Sequence, residues 1–101
     1  HYGVDLAADT GTAIACFADG TVTAVGESSS YGKYCTVTHA NGCTTLYAHC
    51  GRISVSSGAA VKKGEKLGEV GETGMATGPH LHFELQKDGV YLNPIYYVET
   101  A

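Results

Sequence analysis

Three short segments place histidines where they could do chemistry. In Gly78-Pro79-His80-Leu81-His82-Phe83-Glu84-Leu85, strand alternation puts His80, His82 and Glu84 on one face and Leu81, Phe83 and Leu85 on the other. The apolar trio belongs against a core, which leaves two imidazoles and a carboxylate converging on a second surface. Imidazole is the commonest ligand for a borderline metal such as zinc. Alone, the H-x-H pair describes two half-exposed strand histidines at least as well. In His1-Tyr2-Gly3-Val4-Asp5, a histidine and an aspartate four apart can fold onto one cation from a loop or turn. By itself, Asp5 could simply cap a turn. The third segment is Tyr47-Ala48-His49, at the end of a strand. Alternation there groups Thr45, Tyr47 and His49 on one face, with Leu46, Ala48 and Cys50 as the buried side. Taken singly, His49 reads as a surface histidine and Tyr47 as a sheet-packing aromatic. His39 lies beside Asn41-Gly42 and is expected to order that hairpin through a backbone bond rather than hold a ligand.

Short strands must position these residues. Ala13 to Phe17 is apolar, Ala18-Asp19-Gly20 reads as a hairpin turn, and Thr21 to Val25 returns with β-branched alternation. Glu27 to Ser30 is a loop. Lys33 to His39 reads as a strand, Asn41-Gly42 is the strongest short hairpin signal, and Cys43 to Cys50 is its partner. A turn-rich stretch from Ser56 to Gly71 leads to a loop at Gly74 to Gly78. His80 to Gln86 is a strand, Asp88-Gly89 another turn, and Leu92-Asn93-Pro94 ends the sheet. No window of ten residues has a convincing 3.6-residue period, so the expected fold class is all-β or nearly so.

Composition narrows the function classes. Hydrophobic residues make up 44% and charged residues 16% of the 101-residue chain, which suits one globular domain and argues against disorder. Apolar runs fall far short of the ~18–20 residues that cross a bilayer. A net charge of −4 with only 6 Lys+Arg speaks against nucleic-acid binding and against docking onto an anionic membrane by charge. The chain opens at His1 with no basic-then-apolar leader, so any leader is expected to have been removed or to lie outside it. Cys16, Cys35, Cys43 and Cys50 form no C-x-x-C pair, which disfavours a zinc knuckle or a thioredoxin-type motif. They would allow three disulfide pairings in an exported protein, or serve as buried free thiols acting as small hydrophobes.

Taken in order, H-Y-G-V-D-L-A-A-D-T-G-T-A-I, then Y-G-K-Y-C-T-V-T-H-A-N-G-C-T-T-L-Y-A-H, then V-K-K-G-E-K-L-G-E-V-G-E-T-G-M-A-T-G-P-H-L-H-F-E-L, the chain resembles the lysostaphin/LytM-type zinc endopeptidases that cut peptidoglycan peptides. The resemblance runs from His1 to about Tyr97. It implies a compact antiparallel β-sheet domain with a catalytic groove, one zinc ion (Zn2+) per chain and peptidoglycan peptides as substrate. It also implies a monomer working outside the cell or in the bacterial envelope. By position it makes His1, Asp5 and His82 the zinc ligands, and His49 and His80 the catalytic histidines. Three protein ligands leave one position open, as a catalytic zinc needs. Zinc activates water at neutral pH, one imidazole takes and returns a proton, and the other stabilises the oxyanion. Which histidine does which stays open. Glu84 is on the right face to be a rival base and ranks below them, as support for a ligand.

Such domains usually carry a further stretch before the first zinc histidine. Residues 1–101 are therefore expected to be a single domain that lacks an N-terminal segment or is excised from a larger protein. Cys43 and Cys50 stand where relatives commonly have an aromatic and an aliphatic residue. Two rival readings exist. A non-catalytic relative would serve as a cell-wall, sporulation or division scaffold or as a hydrolase regulator, but such proteins typically lose ligand residues, and here all five positions are filled. An oxidative copper site on an N-terminal histidine is opposed by Asp5 and by the H-x-H context.

Overall fold

The computed structural model describes residues 3–92. Among them, nine strands join in one antiparallel system: β1 Gly3–Ala7, β2 Ala13–Ala15, β3 Gly20–Ser28, β4 Gly32–His39, β5 Cys43–Ile53, β6 Ala60–Val61, β7 Lys66–Val70, β8 His80–Lys87 and β9 Val90–Leu92. The main path runs β1-β8-β5-β4-β3-β6; β9 pairs with β8, and β7 bridges β5 and β2. The all-β expectation holds. The only helical turn among these residues is a 3-10 turn at Ala40–Gly42. There Asn41 and Gly42 both take positive φ, 63° and 74°, as the Asn-Gly signal demands, and β4 folds back on β5.

Strand β8 keeps the period of two. Phe83 and Leu85 are buried, opposite Tyr47 and Thr45 of β5. Val22, Val37 and Leu67 fill the same core. Burying a side chain of this size stabilises the fold by roughly 1.5–3 kcal/mol, so the apolar trio of β8 fixes which way His80, His82 and Glu84 face. Cys16, Cys35 and Cys50 are buried and Cys43 half-buried, all four as free thiols. Burial pushes Cys35 up to about 12 and Cys50 up to about 11, so they remain protonated and pack as small hydrophobes.

Three local expectations are corrected. Ala18-Asp19-Gly20 does not close a hairpin: β2 pairs with β7, while β3 pairs with β4 and β6. The Asp19 carboxylate instead accepts the Lys63 backbone N–H at 2.7 Å, so the turn residues carry the chain between partners. On β5 the expected faces are corrected at Thr45 and Tyr47, while Ala48 and Cys50 are buried as expected. Thr45 and Tyr47 are in the core, and the Tyr47 hydroxyl accepts the Phe17 N–H at 3.0 Å, whereas Leu46 and Ala48 oppose Glu84 and His82 on the other face. Finally, the segment through Asp5 is a strand, not a loop or turn.

Candidate active site

Strand β1 brings Asp5 directly opposite His82 of β8, so a carboxylate and an imidazole share one face. Asp5 Oδ1 lies 2.8 Å from His82 Nδ1 and 3.6 Å from His80 Nε2. Gly3 is needed beside them: a Cβ there would stand 2.6 Å from the His82 ring. His82 Nε2 in turn lies 2.8 Å from Glu84 Oε2, the same oxygen that accepts the Tyr31 hydroxyl at 2.8 Å. Tyr31 also stacks on His82, with ring centroids 5.9 Å apart and an interplanar angle of 26°.

His82 sits between two carboxylates. Burial lowers its pKa, but the hydrogen bonds to Asp5 and Glu84 and their charges outweigh that, and the net shift is upward. Burial, followed by the Glu84 bond, pushes Tyr31 up to about 12, so its hydroxyl stays a donor. A carboxylate on Nε2–H, as Glu84 is here, is the arrangement that orients metal-ligating histidines, and a cation at His82 would take the place of the proton between Nδ1 and Asp5. His82 Nδ1 and Asp5 Oδ1 then face each other as two donors that suit one cation. No cluster of three such donors forms among the described residues, and His1 lies outside them.

His49 arrives by a different route. Strict alternation from Tyr47 would point it into the core; instead its φ is +60°, a left-handed conformation uncommon outside glycine, and its side chain, 8% exposed, is buried beside the groove. This turn brings its ring 4.8 Å from that of His80 and 6.0 Å from that of His82. The Nδ1 atoms of both remaining imidazoles face backbone carbonyls: His49 that of Thr73 at 2.7 Å and His80 that of Gly78 at 2.9 Å. A carbonyl only accepts, so Nδ1 carries the proton in each ring and Nε2 is left for chemistry. A groove of about 300 Å³ is lined by Asp5, His49, His80 and His82, with Ser30, Tyr31, Met75 and Thr77 completing it.

Residues 1–94 match the profile of peptidase family M23. The chain belongs to this family. It is 45% identical over 95 residues to the DD-carboxypeptidase/endopeptidase Mpg of Neisseria meningitidis, a match that takes in 94% of this chain and 22% of that protein. The chain therefore spans about a fifth of the length of that curated relative. The catalytic domain of the antimicrobial peptidase lysostaphin from Staphylococcus simulans superposes with a TM-score of 0.92 at 28% identity, covering 99% of this chain and 80% of that one. A zinc-containing peptidase from Vibrio cholerae gives a TM-score of 0.88 at 36% identity, covering 91% and 28%. The resemblance to lysostaphin-type enzymes is thus borne out, and with it the antiparallel fold.

Four of the five residues singled out for the M23 site, Asp5, His49, His80 and His82, share the one groove; the fifth, His1, lies outside the described residues. His39 is elsewhere. Its Nδ1 meets the Asp19 carbonyl at 2.9 Å and its Nε2 the Thr45 hydroxyl at 2.8 Å, so it braces the β2–β3 connection as well as its own hairpin. Sequence reasoning missed Tyr31 and Thr73. Each stands beside a glycine with positive φ, Gly32 and Gly74, which marks a constrained backbone but does not reveal what it holds.

Proposed function

We propose that this domain is a zinc-dependent endopeptidase that hydrolyses peptide bonds of bacterial peptidoglycan, with His1, Asp5 and His82 as zinc ligands and His49 and His80 as the catalytic histidines. One observation carries the reading: Asp5 and His82 converge as donors in the groove where two further imidazoles, each with its Nδ1 proton committed to a carbonyl, present Nε2. The resemblance to lysostaphin-type enzymes makes His1, four residues before Asp5, the third ligand. Zinc bound there supplies Lewis-acid activation of water and of the scissile carbonyl.

This chain's own groups handle the protons. One imidazole Nε2 accepts the proton of the attacking water as its oxygen bonds to the carbonyl carbon, and that proton passes to the amine nitrogen when the C–N bond breaks. The other Nε2, protonated, donates to the oxyanion. Glu84, held by Tyr31, orients His82. The two carboxylates among the described residues of the site, Asp5 and Glu84, are both engaged by His82, whereas glycoside hydrolysis needs a pair flanking the scissile bond. In this reading one zinc binds per chain, the substrate is a cross-bridge or stem peptide, and the domain acts as a monomer at the cell envelope. No helix among the described residues is long and apolar enough to cross a membrane.

The test is digestion of isolated peptidoglycan by the metal-loaded protein, with mass analysis of the released fragments. New amino groups should appear while reducing sugar ends stay constant. A rise in reducing ends, or full activity in a metal-free preparation, would sink the proposal.

A further inference from the structure

We propose that Thr73 is the positioning residue for His49: its carbonyl fixes the imidazole tautomer and its hydroxyl fixes where that carbonyl stands. The inference rests on the proposed peptidase activity and takes His49 as the imidazole whose Nε2 accepts the water's proton.

The geometry is a staple closed at several points around one left-handed residue. The His49 ring donates Nδ1–H to the Thr73 carbonyl at 2.7 Å. The Thr73 hydroxyl donates at 2.6 Å to the carbonyl of Cys50, the residue that follows His49 in the chain. The same hydroxyl accepts the Lys33 backbone N–H at 3.0 Å. Thr73 therefore grips the ring of His49 through its backbone and the strand beyond His49 through its side chain. The His49 N–H is itself tied to the Tyr31 carbonyl at 2.8 Å, and its own carbonyl accepts the Gly71 N–H at 3.2 Å.

Two glycines make the close approach possible. Gly32 and Gly74 have φ of +65° and +76°. A Cβ on Gly32 would run into the Thr73 backbone, and one on Gly74 into the backbone of Gly32. The loop carrying Thr73 thus has little room to shift, and its carbonyl is set by bonds reaching across two strands.

The chemical consequence follows from the carbonyl being an acceptor only. It holds the neutral ring as the Nδ1–H form, leaving the Nε2 lone pair for a proton. A neutral imidazole without that partner would exchange between tautomers, and only one of them can accept at Nε2. Partners that orient metal-ligating histidines in this way are typically worth about 10–100-fold, and a loss of the same order is expected for His49.

The experiment pairs a spectroscopic readout with kinetics in the intact protein labelled with ¹⁵N-histidine. In the wild type, the neutral His49 ring should be in the Nδ1–H form; an Nε2–H form would overturn the proposal whatever the activity. Thr73→Val keeps the shape but removes the hydroxyl. It should mix the tautomers and lower kcat by about 10–100-fold, with KM and zinc content unchanged. Thr73→Ser should restore both the tautomer and kcat. A Val variant with wild-type kcat, or a folded Ser variant as impaired as Val, would overturn it. If the Val variant fails to fold, the wild-type tautomer and the Ser variant still decide the question. A protein with no peptidase activity at all would refute the functional reading and leave the tautomer measurement standing.

Discussion

Strands β8 and β5 each deliver histidines to one groove by opposite means. On β8, regular alternation puts His80, His82 and Glu84 opposite Phe83 and Leu85, and core burial of the apolar side enforces the arrangement. On β5 the period of two would turn His49 into the core with Tyr47, and the chain brings it to the groove wall only by breaking the pattern at φ +60°. Regular backbone thus holds the residue proposed to bind metal, while strained backbone holds a residue proposed to move protons. Strain of this kind costs of order 1–3 kcal/mol and persists only where surrounding contacts over-determine it. Around His49 those contacts are the bonds to Tyr31, Gly71 and Thr73.

The largest effect should come from the regular strand. His82→Ala, like Asp5→Ala, removes a proposed ligand; metal content should collapse and activity should fall by more than the ~10²–10⁴-fold worth of one acid–base group. Elemental analysis beside turnover checks this, and a His82→Ala protein that keeps its zinc would break the contrast. His49→Ala, and equally His80→Ala, should keep zinc and lose about 10²–10⁴-fold in kcat.

Next comes Glu84→Gln. The amide can still accept from Tyr31 but carries no charge to match His82, so zinc affinity should drop about 10–100-fold, measured by competition with a chelator. Backbone strain provides a more direct comparison of the two strands. His49→Gly should be more stable than His49→Ala by about 1 kcal/mol, since glycine tolerates positive φ. His80→Gly should be less stable than His80→Ala by roughly 0.5–1 kcal/mol, as for glycine inside an ordinary strand. Denaturant unfolding of the four variants reads this, and the same sign at both positions would remove the distinction drawn here. The smallest effect belongs to His39→Ala, which loses the bonds to Asp19 and Thr45. It should cost about 1–2 kcal/mol in stability while zinc content and activity stay near wild type.

Much of this was legible in the residues themselves. Alternation over His80 to Leu85 is a local property of an extended chain, and three apolar side chains sufficed to say which face turns inward. The Asn41-Gly42 turn was legible for the same reason, because few residue pairs accept φ > 0 twice in succession. The order of the histidine and aspartate motifs pointed to the family. Other features required partners distant in the chain. Ala18-Asp19-Gly20 has hairpin chemistry, but Asp19 is claimed by Lys63, 44 residues on, so β2 and β3 part company. Tyr47 looked like the exposed side of β5 until Phe83 was placed opposite it.

What the sequence by itself determined was the set of chemical groups, the strand that presents His80 and His82, and the family to which the chain belongs. Only the tertiary structure decided that His49 leaves the core face to join them, that Glu84 is shared by His82 and Tyr31, and that Thr73 holds the His49 ring. The physical reason is range. A side chain's face follows from its neighbours while the backbone keeps its period, but a left-handed residue is held by hydrogen bonds from segments 18 to 24 residues away, and no local pattern encodes those.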